Sequence, residues 1–119
     1  MKERSVVFGL GLLLWTSAAL ADDYRLRGLA VETDLKAGKP YSARLSYDAE
    51  GKPHHLEACY LWNGEGPYCF KARKFESYFE TVLQTNNPGQ YKLEGYIRYN
   101  NGSEIVDSNR VSTTIRVAR

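Results

Sequence analysis

Tyr41-Ser42-Ala43-Arg44-Leu45-Ser46-Tyr47-Asp48 alternates without a break, with Tyr41, Ala43, Leu45 and Tyr47 on one side and Ser42, Arg44 and Ser46 on the other. Successive side chains of a strand point to opposite faces, so this run is a strand with one face on a core and one in water. Working outward, short runs of the same kind fall at residues 25–32, 55–62, 68–73, 78–84, 91–99, 104–107 and 111–117. In the run at 91–99, Leu93 and Ile97 join Tyr91 on the inward side while Lys92, Glu94 and Arg98 point out; Val111, Thr113, Ile115 and Val117 make a last inward row. Turn residues rich in Gly, Pro and Asn separate the runs at 36–40, 50–53, 63–67, 86–90 and 101–102. Nine tyrosines among 119 residues fit pleated, half-buried surfaces better than helices. The expectation is an all-β protein: an antiparallel β-sandwich of seven or eight strands.

Two turns suggest registers. Asn101-Gly102 fits a two-residue type I′ turn, which needs φ > 0 at both positions, and that would set Asn100 opposite Ser103 and Ile97 opposite Val106. A symmetric hairpin about Asn63-Gly64-Glu65 would pair Trp62 with Gly66, Tyr60 with Tyr68, and Cys59 with Cys69. Directly opposed cysteines meet disulfide geometry, so Cys59 and Cys69 are expected to staple one hairpin. Closing a loop of 11 residues contributes roughly 3 kcal/mol on the chain-entropy argument.

Asn87-Pro88-Gly89-Gln90-Tyr91-Lys92-Leu93 resembles the turn and tyrosine corner that open the sixth strand of immunoglobulin-like sandwiches. The resemblance implies that the Tyr91 hydroxyl bonds to backbone a few residues upstream, and that Trp62 or Tyr60 is the central aromatic of the third strand. Antibody-type domains join the second and sixth strands by a disulfide, whereas Leu45 and Leu93 stand at the equivalent places here. The chain is therefore nearer to the immunoglobulin-like or fibronectin type III-like domains of the bacterial envelope. By analogy of fold, that group implies adhesion, architecture or ligand binding.

The N-terminus bears on the compartment. Lys2 and Arg4, an apolar run over residues 6–14, and Ala19-Leu20-Ala21 before Asp22 have the three parts of a secretory signal peptide, with cleavage expected after Ala21. The product, residues 22–119, has the length of a single domain. Loss of Lys2, Glu3 and Arg4 leaves 14 basic against 13 acidic residues, too even a balance to favour a phosphate backbone, so nucleic acid is set aside. The apolar run is too short for a good membrane span, so the protein is not expected to span a membrane. An oxidising compartment, periplasmic or outside the cell, suits the cysteine pair.

Catalysis finds little support in these residues. There is no Gly-x-Ser-x-Gly elbow, and Asp48, Glu50, Glu57, Glu65, Glu76 and Glu80 are too scattered to nominate a carboxylate pair. His54-His55 could chelate a metal only from a bent loop, with Glu57 or Asp48 brought in, and a solvated strand start is the simpler reading. No cofactor or metal is expected. The aromatic residues are the better lead. Tyr60, Trp62, Tyr68 and Phe70 share one face of the stapled hairpin, and that face is either core or, turned outward, a platform for sugars or a protein hot spot. Lys71, Arg73 and Lys74 form the compact basic group, with Lys71 and Arg73 expected on one strand face beside the hairpin. The function expected is a non-enzymatic binding module of the cell envelope, with residues 62–70, Glu65 included, meeting a protein partner. A carbohydrate-binding module and a small hydrolase inhibitor, the latter using the loop at 63–67, are the alternatives.

Overall fold

A computed structural model describes residues 22–119; the expected signal peptide, with its cleavage near Ala21, lies outside the described residues. Ten strands follow one another: β1 (Asp23–Val31), β2 (Leu35–Lys36), β3 (Pro40–Glu50), β4 (His54–Trp62), β5 (Glu65–Phe70), β6 (Arg73–Lys74), β7 (Tyr78–Gln84), β8 (Gly89–Asn100), β9 (Ile105–Asp107) and β10 (Val111–Ala118). One sheet runs β1-β3-β7-β6 and the other β2-β10-β8-β4-β5, with β9 paired to β8. The described residues contain no helix.

The eight expected strands are all present, and the two added ones have two residues each. Leu35, 5 % exposed, seats β2 parallel to β10 through Val117, so one edge departs from the antiparallel expectation. The second addition corrects the strand expected at 68–73. It stops at Phe70, the chain crosses between sheets at Lys71-Ala72, and Arg73-Lys74 pairs with β7 in the opposite layer. The crossing is needed because β7 belongs to the other sheet, and the small Ala72 packs against the core as it passes.

Period-2 alternation places the core as expected. Tyr41, Ala43, Leu45 and Tyr47 of β3, with Phe79 and Leu83 of β7, face Ala58 and Tyr60 of β4, Leu93 and Ile97 of β8, and Ile115 and Val117 of β10. Full burial of such side chains contributes about 1.5–3 kcal/mol each before conformational entropy is opposed. Leu45 and Leu93 are both fully buried.

The β8–β9 hairpin is not the two-residue turn that Asn101-Gly102 suggested. Asn100 pairs with Ile105 and Tyr99 with Val106, so four residues form the loop and Ile97 faces Ser108 instead of Val106. The cause is local. Asn101 Oδ1 accepts from the amides of Ser103 and Glu104, and the Asn101 amide donates to the Glu104 carbonyl, which favours a wider Asx-type turn. The register moves by two residues, so each side chain keeps its face.

One side of the sandwich is closed by a side chain. The Asn109 carboxamide accepts from the Leu26 amide at 2.8 Å and donates to the Leu26 carbonyl at 2.9 Å, so it substitutes for a strand at the register shift between Leu26 and Gly28 and joins β1 to the β9–β10 corner. On the opposite side, between β5 and β7, the backbone spans the gap only at the crossing of Lys71-Ala72 and at β6.

Candidate functional site

The stapled hairpin forms one wall of that opposite side. Asn63 and Gly64, at φ 52° and 81°, make the two-residue turn with both residues left-handed, a conformation Asn tolerates and Gly adopts freely. Cys59 pairs with Cys69 and Tyr60 with Tyr68, as the sequence suggested, and the cysteines form a disulfide with Cα atoms 4.0 Å apart. Trp62 pairs with Glu65, not Gly66, because the tight turn uses only two residues and a bulge between Tyr60 and Trp62 takes up the extra one. Gly66 sits in that bulge at φ 133°, where a Cβ would come within 2.8 Å of the Tyr60 carbonyl oxygen. The hairpin tip is tied down as well. Asn63 donates its amide to the Lys92 carbonyl at 2.9 Å and accepts from the Lys92 amide through Oδ1 at 2.8 Å.

Tyr60, Trp62, Tyr68 and Phe70 do share the inward face, yet their fates differ. Tyr60 is fully buried and its hydroxyl donates to Thr81 Oγ1 at 3.2 Å, which makes it the central aromatic of the third long strand. Burial pushes its phenol up to about 12, against the opposing effect of the Thr81 bond. Trp62 is half-buried and donates Nε1–H inward to Thr85 Oγ1 at 3.0 Å. Tyr68 and Phe70 point towards the gap between the layers but stand on the edge strand, and remain 55 % and 39 % exposed.

Trp62, Tyr68 and Phe70, but not the enclosed Tyr60, line a cleft of about 400 Å³. These three form one wall; Gln84 at the end of β7 and Thr85, Asn86 and Asn87 after it form the other with Tyr91 near the start of β8. The rings of Trp62 and Tyr68 lie 5.9 Å apart at 65°, an angular corner and not a flat shelf. Gln84 donates Nε2–H to Asn86 Oδ1 at 2.8 Å. The Tyr91 hydroxyl donates to the Asn87 carbonyl at 2.8 Å, the tyrosine corner that the resemblance implied. Gln84, Asn86 and Asn87 entered the sequence reading only as strand end and turn, and Thr85 not at all; a fold was needed to bring them to the hairpin.

Other candidates lie elsewhere. Glu65 is exposed opposite Trp62 at the hairpin tip and does not line the cleft. Lys71 and Arg73 do not share a strand face, because the chain changes sheets between them. Arg73 lies over Phe75 at 5.1 Å, and Phe75 stacks on Tyr78 beneath Arg44, so its charge is engaged in a surface ladder. Lys74 Nζ is 5.8 Å from the Tyr24 ring centre.

His54 is the exposed first residue of β4, as expected of a solvated strand start, whereas His55 is half-buried. Its ring lies 5.1 Å from that of Phe79, and desolvation lowers its pKa below the usual imidazole range, with His54 and Lys74 adding to this and a bond to the Ala72 backbone opposing it. Glu57 instead turns outward to Arg98 at 3.7 Å. Glu57 also approaches Cys59 and Cys69, but those sulfurs are joined to each other and are not thiolate ligands.

The sandwich order, the Tyr91 corner and the buried Tyr60 can be set beside solved structures. The PKD domain of M14-like peptidase from Thermoplasmatales archaeon SCGC AB-540-F20 is similar over 83 % of this chain and 100 % of that one, at 11 % identity and a TM-score of 0.50. The fold is immunoglobulin-like. No protein-family model matches the chain, and no curated protein matches it in sequence. No helix among the described residues is long and apolar enough to cross a membrane.

Proposed function

We propose that this protein is a non-catalytic binding module that works outside the cytoplasm and captures its partner in the cleft between the stapled hairpin and residues 84–91. The observation that carries the reading is the exposure of Tyr68 and Phe70, inward-facing aromatics left uncovered at the mouth of a concave site. The Cys59–Cys69 bond and the Asn63–Lys92 pair hold that wall in place before binding, which lowers the ordering cost of association. The disulfide also supports an oxidising compartment. The lining contains rings, carboxamides and hydroxyls, with none of the activated nucleophile and base arrangements that hydrolysis requires.

The test is retention of labelled protein on cell-envelope preparations. The variant Tyr68→Ala with Phe70→Ala is expected to lose about tenfold or more in apparent affinity, with an unchanged melting temperature and bound material eluting chemically unaltered. Val82→Ala, a similarly exposed apolar site on the other sheet, serves as the control and is expected to bind as the parent does. Equal retention by all three proteins refutes the cleft as the site, and turnover of the eluted material refutes the non-catalytic reading.

A further inference from the structure

We infer that the cleft takes an uncharged saccharide, as a chain end or a short stretch of a neutral glycan. The inference rests on the cleft being the binding site, and the chemistry of its walls carries it further. None of its eight lining residues bears a carboxylate, ammonium or guanidinium group, although a quarter of the chain is charged. A charged ligand would find no counter-charge on these walls.

Two of the three ring donors in the lining are already engaged within the protein. The indole N–H of Trp62 is directed inward to Thr85, with the Tyr41 hydroxyl 3.4 Å away, and the Tyr91 hydroxyl is engaged with the Asn87 carbonyl. An extended polypeptide presents a row of carbonyl acceptors and is best held by such ring donors. Here the Trp62 and Tyr91 donors are satisfied within the protein and the Tyr68 hydroxyl is the one ring donor without a partner among the described residues, so the rings present chiefly the apolar surface on which the C–H face of a pyranose can lie.

The polar partners are carboxamides. The bond from Gln84 Nε2 to Asn86 Oδ1 fixes two of them, and leaves the Gln84 carbonyl oxygen as an acceptor and the Asn86 amino group as a donor without further partners among the described residues. Asn87 adds a third carboxamide whose side chain makes no hydrogen bond among the described residues. Each sugar hydroxyl both donates and accepts, so neighbouring hydroxyls match a donor set beside an acceptor. The volume of about 400 Å³ lies at the small end of ligand sites, and the 65° corner between Trp62 and Tyr68 suits a short segment over a flat polymer surface.

The experiment uses residues 22–119, which form the whole sandwich and in which Trp62 is the only tryptophan. An array of neutral oligosaccharides is screened alongside anionic oligosaccharides and proline-rich peptides, and hits are titrated by Trp62 fluorescence. The expected result is saturable binding of a neutral oligosaccharide that changes less than about twofold between low and high salt. Tyr68→Ala is expected to weaken it about tenfold or more, Tyr68→Phe by less than about threefold, and Asn86→Ala with Asn87→Ala by about tenfold. Binding of peptides but no saccharide, with the same dependence on Tyr68, overturns the inference while leaving the cleft as the site. Binding of anionic saccharides alone, weakened by salt, also overturns it. No binding by any class, together with envelope retention indifferent to Tyr68 and Phe70, removes both the inference and the proposed function.

Discussion

The two open sides of the sandwich are closed by different means. Between β1 and the β9–β10 corner, Asn109 satisfies both backbone groups of Leu26 and leaves the layers joined by polar bonds. Between β5 and β7, the backbone spans the gap only at Lys71-Ala72 and the two residues of β6, the Trp62–Thr85 bond joins the layers, and beyond them Tyr68 and Phe70 remain exposed over the cleft. Each two-layer fold has such sides, where strand edges and core side chains meet water. A side sealed by backbone-satisfying bonds serves stability; one left open but held rigid is available for recognition.

The comparison can be broken most strongly at the staple. Replacing Cys59 and Cys69 together by serine is expected to lower unfolding free energy by roughly 3 kcal/mol in denaturant titration, since a loop of 11 residues is released. Asn109→Ala is expected to cost about 1–3 kcal/mol by leaving the Leu26 backbone groups without partners. The matching change on the open side, Tyr68→Ala, is expected to stay within about 0.5 kcal/mol. A large loss of stability for Tyr68→Ala would make the open side structural and erase the contrast.

A smaller effect comes from pH. His55 lies beneath the crossing at Ala72 and its pKa is lowered by desolvation. Above about pH 6.5 both folded and unfolded forms carry a neutral imidazole, so this contribution to stability is complete. As the pH falls below that value, the unfolded chain takes up a proton that the folded one resists, and stability declines until His55 titrates in the fold as well. His55→Gln is expected to flatten this part of the stability profile below about pH 6.5.

Much of this structure was legible because strand alternation is local. The inward row of β3, the tyrosine corner and the Cys59–Cys69 pairing each follow from residues close together in the chain. The two Asn-Gly pairs were not separable in that way. Asn63-Gly64 makes the tight turn, whereas the Asn101 side chain bonds forward to Ser103 and Glu104 and opens its loop to four residues. Likewise, the pattern at 68–73 could not reveal that β7 lies in the other layer, and that placement separates Lys71 from Arg73.

The sequence by itself determined the all-β class, the inward faces, the staple and the corner, because period 2 and short loops act over a few residues. The tertiary structure alone decided which inward aromatics are covered. Tyr60 and Tyr68 face each other across one pair of strands, yet one is enclosed by the opposite layer and the other stands at the edge. It also brought Gln84, Asn86 and Asn87 to the hairpin from more than a dozen positions away. Burial depends on what the other sheet covers, and that coverage is a property of strand order, not of any single strand.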